Sequence, residues 1–102
     1  MEKKYRLLED DAIIVDGRTL YRIEALRDFA DLIIGDKGGY IESEINLSHE
    51  GNCWVSGSAC VFGDALVSGD ACVYGDACVY DNARVYDNAR VYDNARVYDD
   101  AR

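Results

Sequence analysis

The sequence predicts an all-β protein in which a short parallel β-helix of about three coils follows a small β-rich cap. Valine recurs at every sixth position from Val55 to Val97, and a small residue stands two positions before each of these valines. Residues 1–38 do not share this period. A short fixed period indicates a solenoid in which each unit buries its apolar face against its neighbours. We therefore expect a cap over residues 1–38 and a hexapeptide-repeat β-helix over residues 39–102.

Each hexapeptide unit is predicted to be a short strand followed by a corner. In the unit that begins at Ala83, the side chains of Ala83 and Val85 point inward and Arg84 points outward, because side chains alternate along a strand. The Asp-Asn and Gly-Asp pairs that follow favour turns. Three units make one coil, so residue i pairs in parallel with residue i+18. Traced backward, the small-residue positions continue through Leu47 to Ile41, where we expect the solenoid to begin.

The segment before the repeat contains one clear hairpin signal. Asp16-Gly17 separates two apolar, β-prone runs, residues 12–15 and 18–23, and Asp-Gly favours a type I′ hairpin turn. Residues 5–8 are predicted to form a third strand beside this hairpin. Residues 24–32 fit either a short helix or a continuing strand. The segment is the expected cap for the first coil, since an open solenoid end exposes unpaired backbone groups.

Charge and hydropathy exclude several partners. The net charge is −9 and the isoelectric point about 4.4, so the chain repels phosphate backbones and anionic lipids. No apolar run approaches the roughly 20 residues that span a bilayer, and Met1 leads into mixed charge instead of a signal peptide. We therefore predict a cytoplasmic protein with no nucleic-acid partner and no membrane partner.

The repeat Val-Tyr-Asp-Asn-Ala-Arg resembles the hexapeptide pattern of the left-handed parallel β-helix superfamily. Residues 38–43 and 51–55 resemble the junction in a group of uncharacterised phage and bacterial hexapeptide-repeat proteins with a small N-terminal β segment. The resemblance implies a left-handed coil, although parallel crossovers are right-handed in about 98% of cases. It also implies that side-by-side trimers, common in the superfamily, are a possible assembly.

Many members of that superfamily are acyltransferases, which would imply a catalytic histidine acting as a general base. His49 is the only histidine, and it precedes Glu50 at the start of the repeat. The protruding loop and the substrate-binding insertions of such enzymes are missing, and no interruption of the period forms a pocket. We therefore favour a corner residue in an irregular first coil over a catalytic base, and predict no catalytic residue and no cofactor.

The outward columns of the repeat suggest structural roles. Cys60 and Cys78 are three repeats apart and should be adjacent. We expect reduced thiols in preference to a disulfide, because side chains in a flat ladder do not readily adopt the disulfide dihedral angle. We predict no metal site, because zinc needs about four convergent ligands. Aromatic residues should stack in columns, and corner aspartates should pair with the outward arginines. The aromatic column runs through Phe62, Tyr80 and Tyr98.

The repeat continues unaltered to Arg102 without a polar terminal cap. Unpaired strand edges around an apolar interior should associate. The predicted function is therefore a non-enzymatic structural module that self-associates through its last coil, as a homodimer in preference to a homotrimer. The alternatives are an acyltransferase that uses His49 and a binding module in which the N-terminal segment recognises a partner. The predicted self-association residues are Val91, Tyr92, Val97, Tyr98 and Arg102.

Overall fold

A computed structural model describes residues 3–15, 17–26, 28 and 32–98. These residues form β-strands and one 3-10 helix at Glu44–Asn46, and they include no helix that is long and apolar enough to cross a membrane. The strands are β1 (Tyr5–Val15), β2 (Arg18–Ala25), β3 (Lys37–Ile41), β4 (Trp54–Val55), β5 (Cys60–Val61), β6 (Leu66–Val67), β7 (Cys72–Val73), β8 (Cys78–Val79), β9 (Arg84–Val85), β10 (Arg90–Val91) and β11 (Arg96–Val97).

The short strands stack into the three faces of a β-solenoid with about three coils. The first face contains β3, β5, β8 and β11, the second contains β6 and β9, and the third contains β4, β7 and β10. In the regular coils each strand pairs in parallel with the strand three repeats further along, as Cys60 does with Cys78 and Leu66 with Arg84. The predicted all-β fold and its repeat register are thus confirmed for these coils.

The solenoid interior is filled by the two inward positions of each repeat. Ala83 and Val85 are buried, whereas Arg84 between them is exposed, as strand alternation requires. Both inward positions are also buried in every earlier repeat from Cys53 onward, with a small residue beside the corner and valine in the strand. The fully buried valines are Val55, Val61, Val67, Val73 and Val79.

The N-terminal segment forms an antiparallel hairpin of β1 and β2, joined at Gly17 with φ +78°. Asp16, the other residue of the predicted turn, lies outside the described residues. Residues 5–8 were predicted to form a third strand, and this is wrong. They are the first part of β1, which pairs with β2 along its whole length except for a bulge between Leu8 and Ala12.

The third strand of this segment is β3, which pairs antiparallel with β2 and parallel with β5. The hairpin therefore extends the first face of the solenoid into a six-stranded sheet. β3 crosses the predicted boundary between residues 38 and 39. Residues 24 and 25 continue β2 as a strand, while residues 27 and 29–31 lie outside the described residues.

The first coil differs in register from the prediction. Ile41 pairs with Val61 and Leu47 with Val67, a spacing of i+20 instead of i+18, so both occupy the valine position and not the alanine position. Val55 returns to the regular spacing by pairing with Val73. The backbone N–H of Ser48 donates to the Val67 carbonyl, as that of Ser68 does to Val85, and Gly51 lies against Gly69. The two extra residues are therefore His49 and Glu50.

Candidate functional site

His49 lies in the inserted corner of the first coil, where it binds the N-terminal strand. Its ring stacks on Tyr5 with centroids 4.1 Å apart and planes at 11°. The Lys4 backbone N–H donates to Nδ1 at 3.0 Å, and Nε2 lies 2.9 Å from Glu44 Oε1. These partners assign the proton of the neutral ring to Nε2, which donates to Glu44. The lone pair that a general base would use accepts a backbone hydrogen bond instead.

Glu44 is held as a carboxylate in this corner. The hydrogen bond from His49 and the one from Lys3, whose Nζ lies 3.0 Å from Oε2, lower the pKa of Glu44 below its ordinary value of 4.5. A carboxylate with a lowered pKa is a poor proton acceptor near neutral pH. The contact with Glu44 therefore orients the His49 ring, while Lys3 balances the charge of the Glu44 carboxylate.

Three buried groups complete the corner. The Lys4 Nζ donates to the Cys53 carbonyl at 2.7 Å and to the Gly51 carbonyl at 3.3 Å, and lies 3.3 Å from Cys53 Sγ. The Tyr5 hydroxyl donates to the Leu47 carbonyl at 2.5 Å. Burial raises the pKa of both Tyr5 and Cys53. The five side chains form what we call the anchor cluster, which fastens β1 to the first coil: Lys4, Tyr5, Glu44, His49 and Cys53.

The roles of Lys4 and Tyr5 were not predicted from the sequence. A signal was available, because Leu47 and Val55 are both strand-interior aliphatic residues separated by eight positions and not six. An insertion of two residues at a corner indicates a local contact that the repeat itself does not make. The insertion of His49 and Glu50 interrupts the repeat period, and this corner forms a packed contact with the N-terminal segment through His49.

Four of the predicted self-association residues, Val91, Tyr92, Val97 and Tyr98, border one end of the solenoid. We call this end the last-coil edge, and it consists of β9, β10 and β11. The interior valines are progressively uncovered toward it: Val79 is 0% exposed, Val85 3% and Val91 8%, and Val97 is half-buried. Tyr92 and Tyr98 are 50% and 48% exposed. Arg102 lies outside the described residues. Their role in association stays a prediction.

The predicted aromatic columns are present on the outer faces. Phe62 stacks on Tyr80 with centroids 5.2 Å apart, Tyr80 on Tyr98 at 5.4 Å, and Tyr74 on Tyr92 at 5.5 Å. The predicted pairing of corner aspartates with arginines is not found. No ion pair in the described part of the chain involves Arg84, Arg90 or Arg96. The arginine side chains project from the strands in the middle of each face. Asp81, Asp87 and Asp93 instead lie at the corners, with a left-handed backbone conformation.

All four cysteines are free thiols in the structure. Cys60 and Cys78 are adjacent, as predicted, and burial together with the neighbouring Cys78 raises the pKa of Cys60 to about 11. Cys72 lies beside Trp54 on the third face. Within residues 3–15, 17–26, 28 and 32–98, no group of three or more histidine, cysteine, aspartate or glutamate side chains could hold a metal ion.

Comparison with known proteins supports the solenoid. The family described as the YdcK beta solenoid repeat matches residues 77–91, 83–98 and 89–102. A protein of Escherichia coli (strain K12) named "Uncharacterized acetyltransferase YdcK" is 42% identical over 60 residues, which is 52% of this chain and 18% of that protein. The match thus spans less than a fifth of the relative. Together with the stacked coils, these matches confirm the predicted resemblance to hexapeptide-repeat β-helix proteins.

Proposed function

We propose that the chain is a non-enzymatic structural module that self-associates through the last-coil edge to form a homodimer. The observation that carries the proposal is the valine column, whose exposure rises from Val79 to Val97 at this edge. Apolar interior side chains and strand edges with one free side favour association. Four free thiols suit a reducing compartment, and we propose the cytoplasm.

The outer faces beside this edge support an interface of the same kind. Tyr92 and Tyr98 are about half exposed, and Arg90 and Arg96 beside them make no ion pair in the part of the chain that the structure describes. Tyrosine and arginine are enriched in protein interfaces. A two-fold axis through the edge closes the assembly at two copies, because the same surface then meets itself.

The test is the solution mass by light scattering over a concentration series. We expect a dimer for the chain and a monomer for Val97→Glu, because the new carboxylate would be buried in the interface. Tyr98→Glu provides a second variant that leaves the interior unchanged, and Ile14→Glu is the control, since Ile14 in the hairpin is 75% exposed. Circular dichroism of each variant shows whether the fold is retained. A wild-type monomer, or a trimer, contradicts the proposal.

An acyltransferase is the second candidate, because the similar E. coli protein carries that name. It predicts acetyl transfer from a thioester donor to an amine or hydroxyl, with loss of activity in a folded His49→Ala variant. The engagement of both ring nitrogens of His49 argues against this role. We expect no transfer above that of the denatured protein, and transfer that disappears in His49→Ala would favour the enzyme.

A binding role for the N-terminal segment is favoured by one observation. Ile14, Ile33 and Ile34 are 75%, 63% and 63% exposed, although they are large and apolar. Ile14 lies beside the hairpin turn and Ile34 near Ala25 at the other end of β2. If either exposed position forms the contact between copies, Ile14→Ser or Ile34→Ser abolishes association while Val97→Glu does not. The proposed last-coil edge predicts the reverse result, so the same light-scattering series distinguishes the two.

A further inference from the structure

One row of outward side chains crosses the first face of the solenoid and continues into the hairpin. The residues are in register on neighbouring strands: Arg22 pairs with Tyr40, Tyr40 with Cys60, Cys60 with Cys78, and Cys78 with Arg96. We call these five residues the cysteine row. The row places two thiols side by side between an aromatic ring and an arginine.

The spacing of the two thiols suits a metal ion better than a disulfide. In-register side chains of parallel strands leave the sheet in the same direction at about the strand spacing, roughly 4.8 Å. With the zinc–sulfur bond of roughly 2.3 Å as a guide, two thiolates on opposite sides of one metal ion are separated by about 4.6 Å. A disulfide requires sulfur atoms about 2.05 Å apart. The ladder geometry thus matches a linear S–metal–S unit without moving the backbone.

The surroundings select a soft ion. Cys60 is 6% exposed and belongs to an apolar cluster with Leu20, Tyr40 and Phe62, while Cys78 at its border is half-buried and open to entry. Among the described residues, no group of three or more histidine, cysteine, aspartate or glutamate side chains is placed to hold a metal ion, so zinc, magnesium and calcium lack a complete ligand set. Thiolate ligands suit both Cu(I) and zinc, and a site with only two of them leaves the four-coordinate sphere of zinc incomplete.

The charge of the row also fits a monovalent ion. Two thiolates and one Cu(I) carry a net charge of −1. Arg96 is the next residue of the row beside Cys78, and it belongs to none of the ion pairs formed by the described residues. Arg22 at the other end stacks over Tyr40, with its guanidinium carbon 4.7 Å from the ring centroid, and lies 3.1 Å from Asp11. Arg96 is therefore the cation placed to offset the bound complex.

We propose that Cys60 and Cys78 form a two-coordinate binding site for Cu(I). Binding converts two thiols and one Cu(I) into a copper bis-thiolate and releases two protons, with no change in oxidation state. The apparent affinity should therefore rise with pH, because a thiol must lose its proton to bind the ion as a thiolate.

The experiment is an anaerobic titration of the reduced chain with Cu(I) against a chromophoric copper chelator. We expect one tightly bound Cu(I) per chain, and at least a 100-fold loss of affinity in Cys60→Ser and in Cys78→Ser. Cys72→Ser is the matched control, because Cys72 is also an outward cysteine flanked in register by an aromatic residue and an arginine, Trp54 and Arg90, but has no second thiol. This control should bind as the unmodified chain does.

X-ray absorption at the copper edge gives the second readout. Two sulfur neighbours per copper are expected, and a third sulfur or a nitrogen ligand would overturn the two-coordinate site. Wild-type affinity in both Cys60→Ser and Cys78→Ser would overturn the proposal, as would an equal loss in Cys72→Ser. Circular dichroism of the metal-free variants separates lost binding from lost folding, and Arg96→Gln should weaken binding several-fold with no change in stoichiometry.

Discussion

The first and third coils have the same triangular plan but are stabilised by different interactions. The third coil is built from near-identical repeats, and its interior consists of valine and alanine under a continuous backbone ladder. The first coil contains the insertion of His49 and Glu50, a 3-10 helix and a buried asparagine. The regular coil depends on periodicity, whereas the first coil depends on individual side chains.

Asn46 shows why the first coil depends on individual side chains. In the regular coils the backbone N–H groups of Asp64 and Leu66 donate to Asp81 and Ala83. At the equivalent place in the first coil the backbone turns into the 3-10 helix, and the N–H of Asn46 donates to Ser43 instead. The Asn46 side-chain amide then donates to the carbonyls of Gly63 and Ala65, which the ladder would otherwise have satisfied.

The largest effect should follow from Asn46→Ala. Asn46 is fully buried, and its oxygen also accepts hydrogen bonds from the N–H groups of Glu42 and Ser43 at 3.1 and 2.9 Å. Four polar groups would lose a partner, which should lower the free energy of unfolding by about 4 kcal/mol. Asn88→Ala, in an exposed corner of the third coil, should change it by less than about 0.5 kcal/mol. Urea denaturation measures both, and equal losses would contradict the contrast between the coils.

The same contrast explains how far the sequence predicts the structure. The regular coils follow from period and strand alternation. Val85 was therefore assigned correctly to the interior and Arg84 to the surface, and Cys60 was correctly paired with Cys78. The structure of the first coil does not follow from the repeat pattern, because hydrogen bonds from Lys4 to His49 and Cys53 join residues that are far apart in the sequence. The eight-residue spacing from Leu47 to Val55 indicates where such a contact lies, but a single sequence contains no signal for its partners. The left-handed sense of the coil stays an expectation from the resemblance.

Gly38, at the junction between cap and solenoid, should be nearly as sensitive to substitution as Asn46. A Cβ atom at this position would lie 2.3 Å from the Val55 carbonyl oxygen and 2.7 Å from Ile23 Cγ1, so Gly38→Ala forces β3 away from β4. We expect a loss of about 3 kcal/mol in the free energy of unfolding. Gly57→Ala, at a solenoid corner with φ +65°, meets its nearest atom at 3.2 Å and should cost about 1 kcal/mol. A smaller loss for Gly38→Ala than for Gly57→Ala would show that the junction relaxes.

A smaller effect, of opposite sign, is expected at the corners of the third coil. Gly51, Gly69 and Asp87 occupy one corner column, and Asp87 has φ +57°, a left-handed conformation that glycine adopts without strain. Asp87→Gly should raise the free energy of unfolding by up to about 1 kcal/mol. Gly69→Ala, whose Cβ would lie 3.0 Å from the Asp87 nitrogen, should lower it. Thermal unfolding of both variants checks the signs, and a stabilising Gly69→Ala would refute the strain argument.

The smallest effect concerns the pH dependence of the anchor cluster. The pKa of Glu44 is lowered in the folded chain by His49 and Lys3, so ionised Glu44 stabilises the fold above its unfolded value of 4.5. This contribution is lost as the pH falls below 4.5 through the folded pKa. Glu44→Gln removes this contribution at neutral pH. In acid, where the unmodified chain has also lost it, the two chains should have similar free energies of unfolding.

Glu50→Gln is the control for this pH dependence, because Glu50 is exposed beside the same corner and no ion pair among the described residues includes it. Urea midpoints between pH 7 and pH 3 should converge for Glu44→Gln and the unmodified chain, while those of Glu50→Gln stay parallel to the unmodified chain. Because Glu44 is substantially exposed, the difference should shrink as salt screens the pair. Parallel curves for Glu44→Gln would show that the contact of His49 with Glu44 orients the ring without stabilising the first coil.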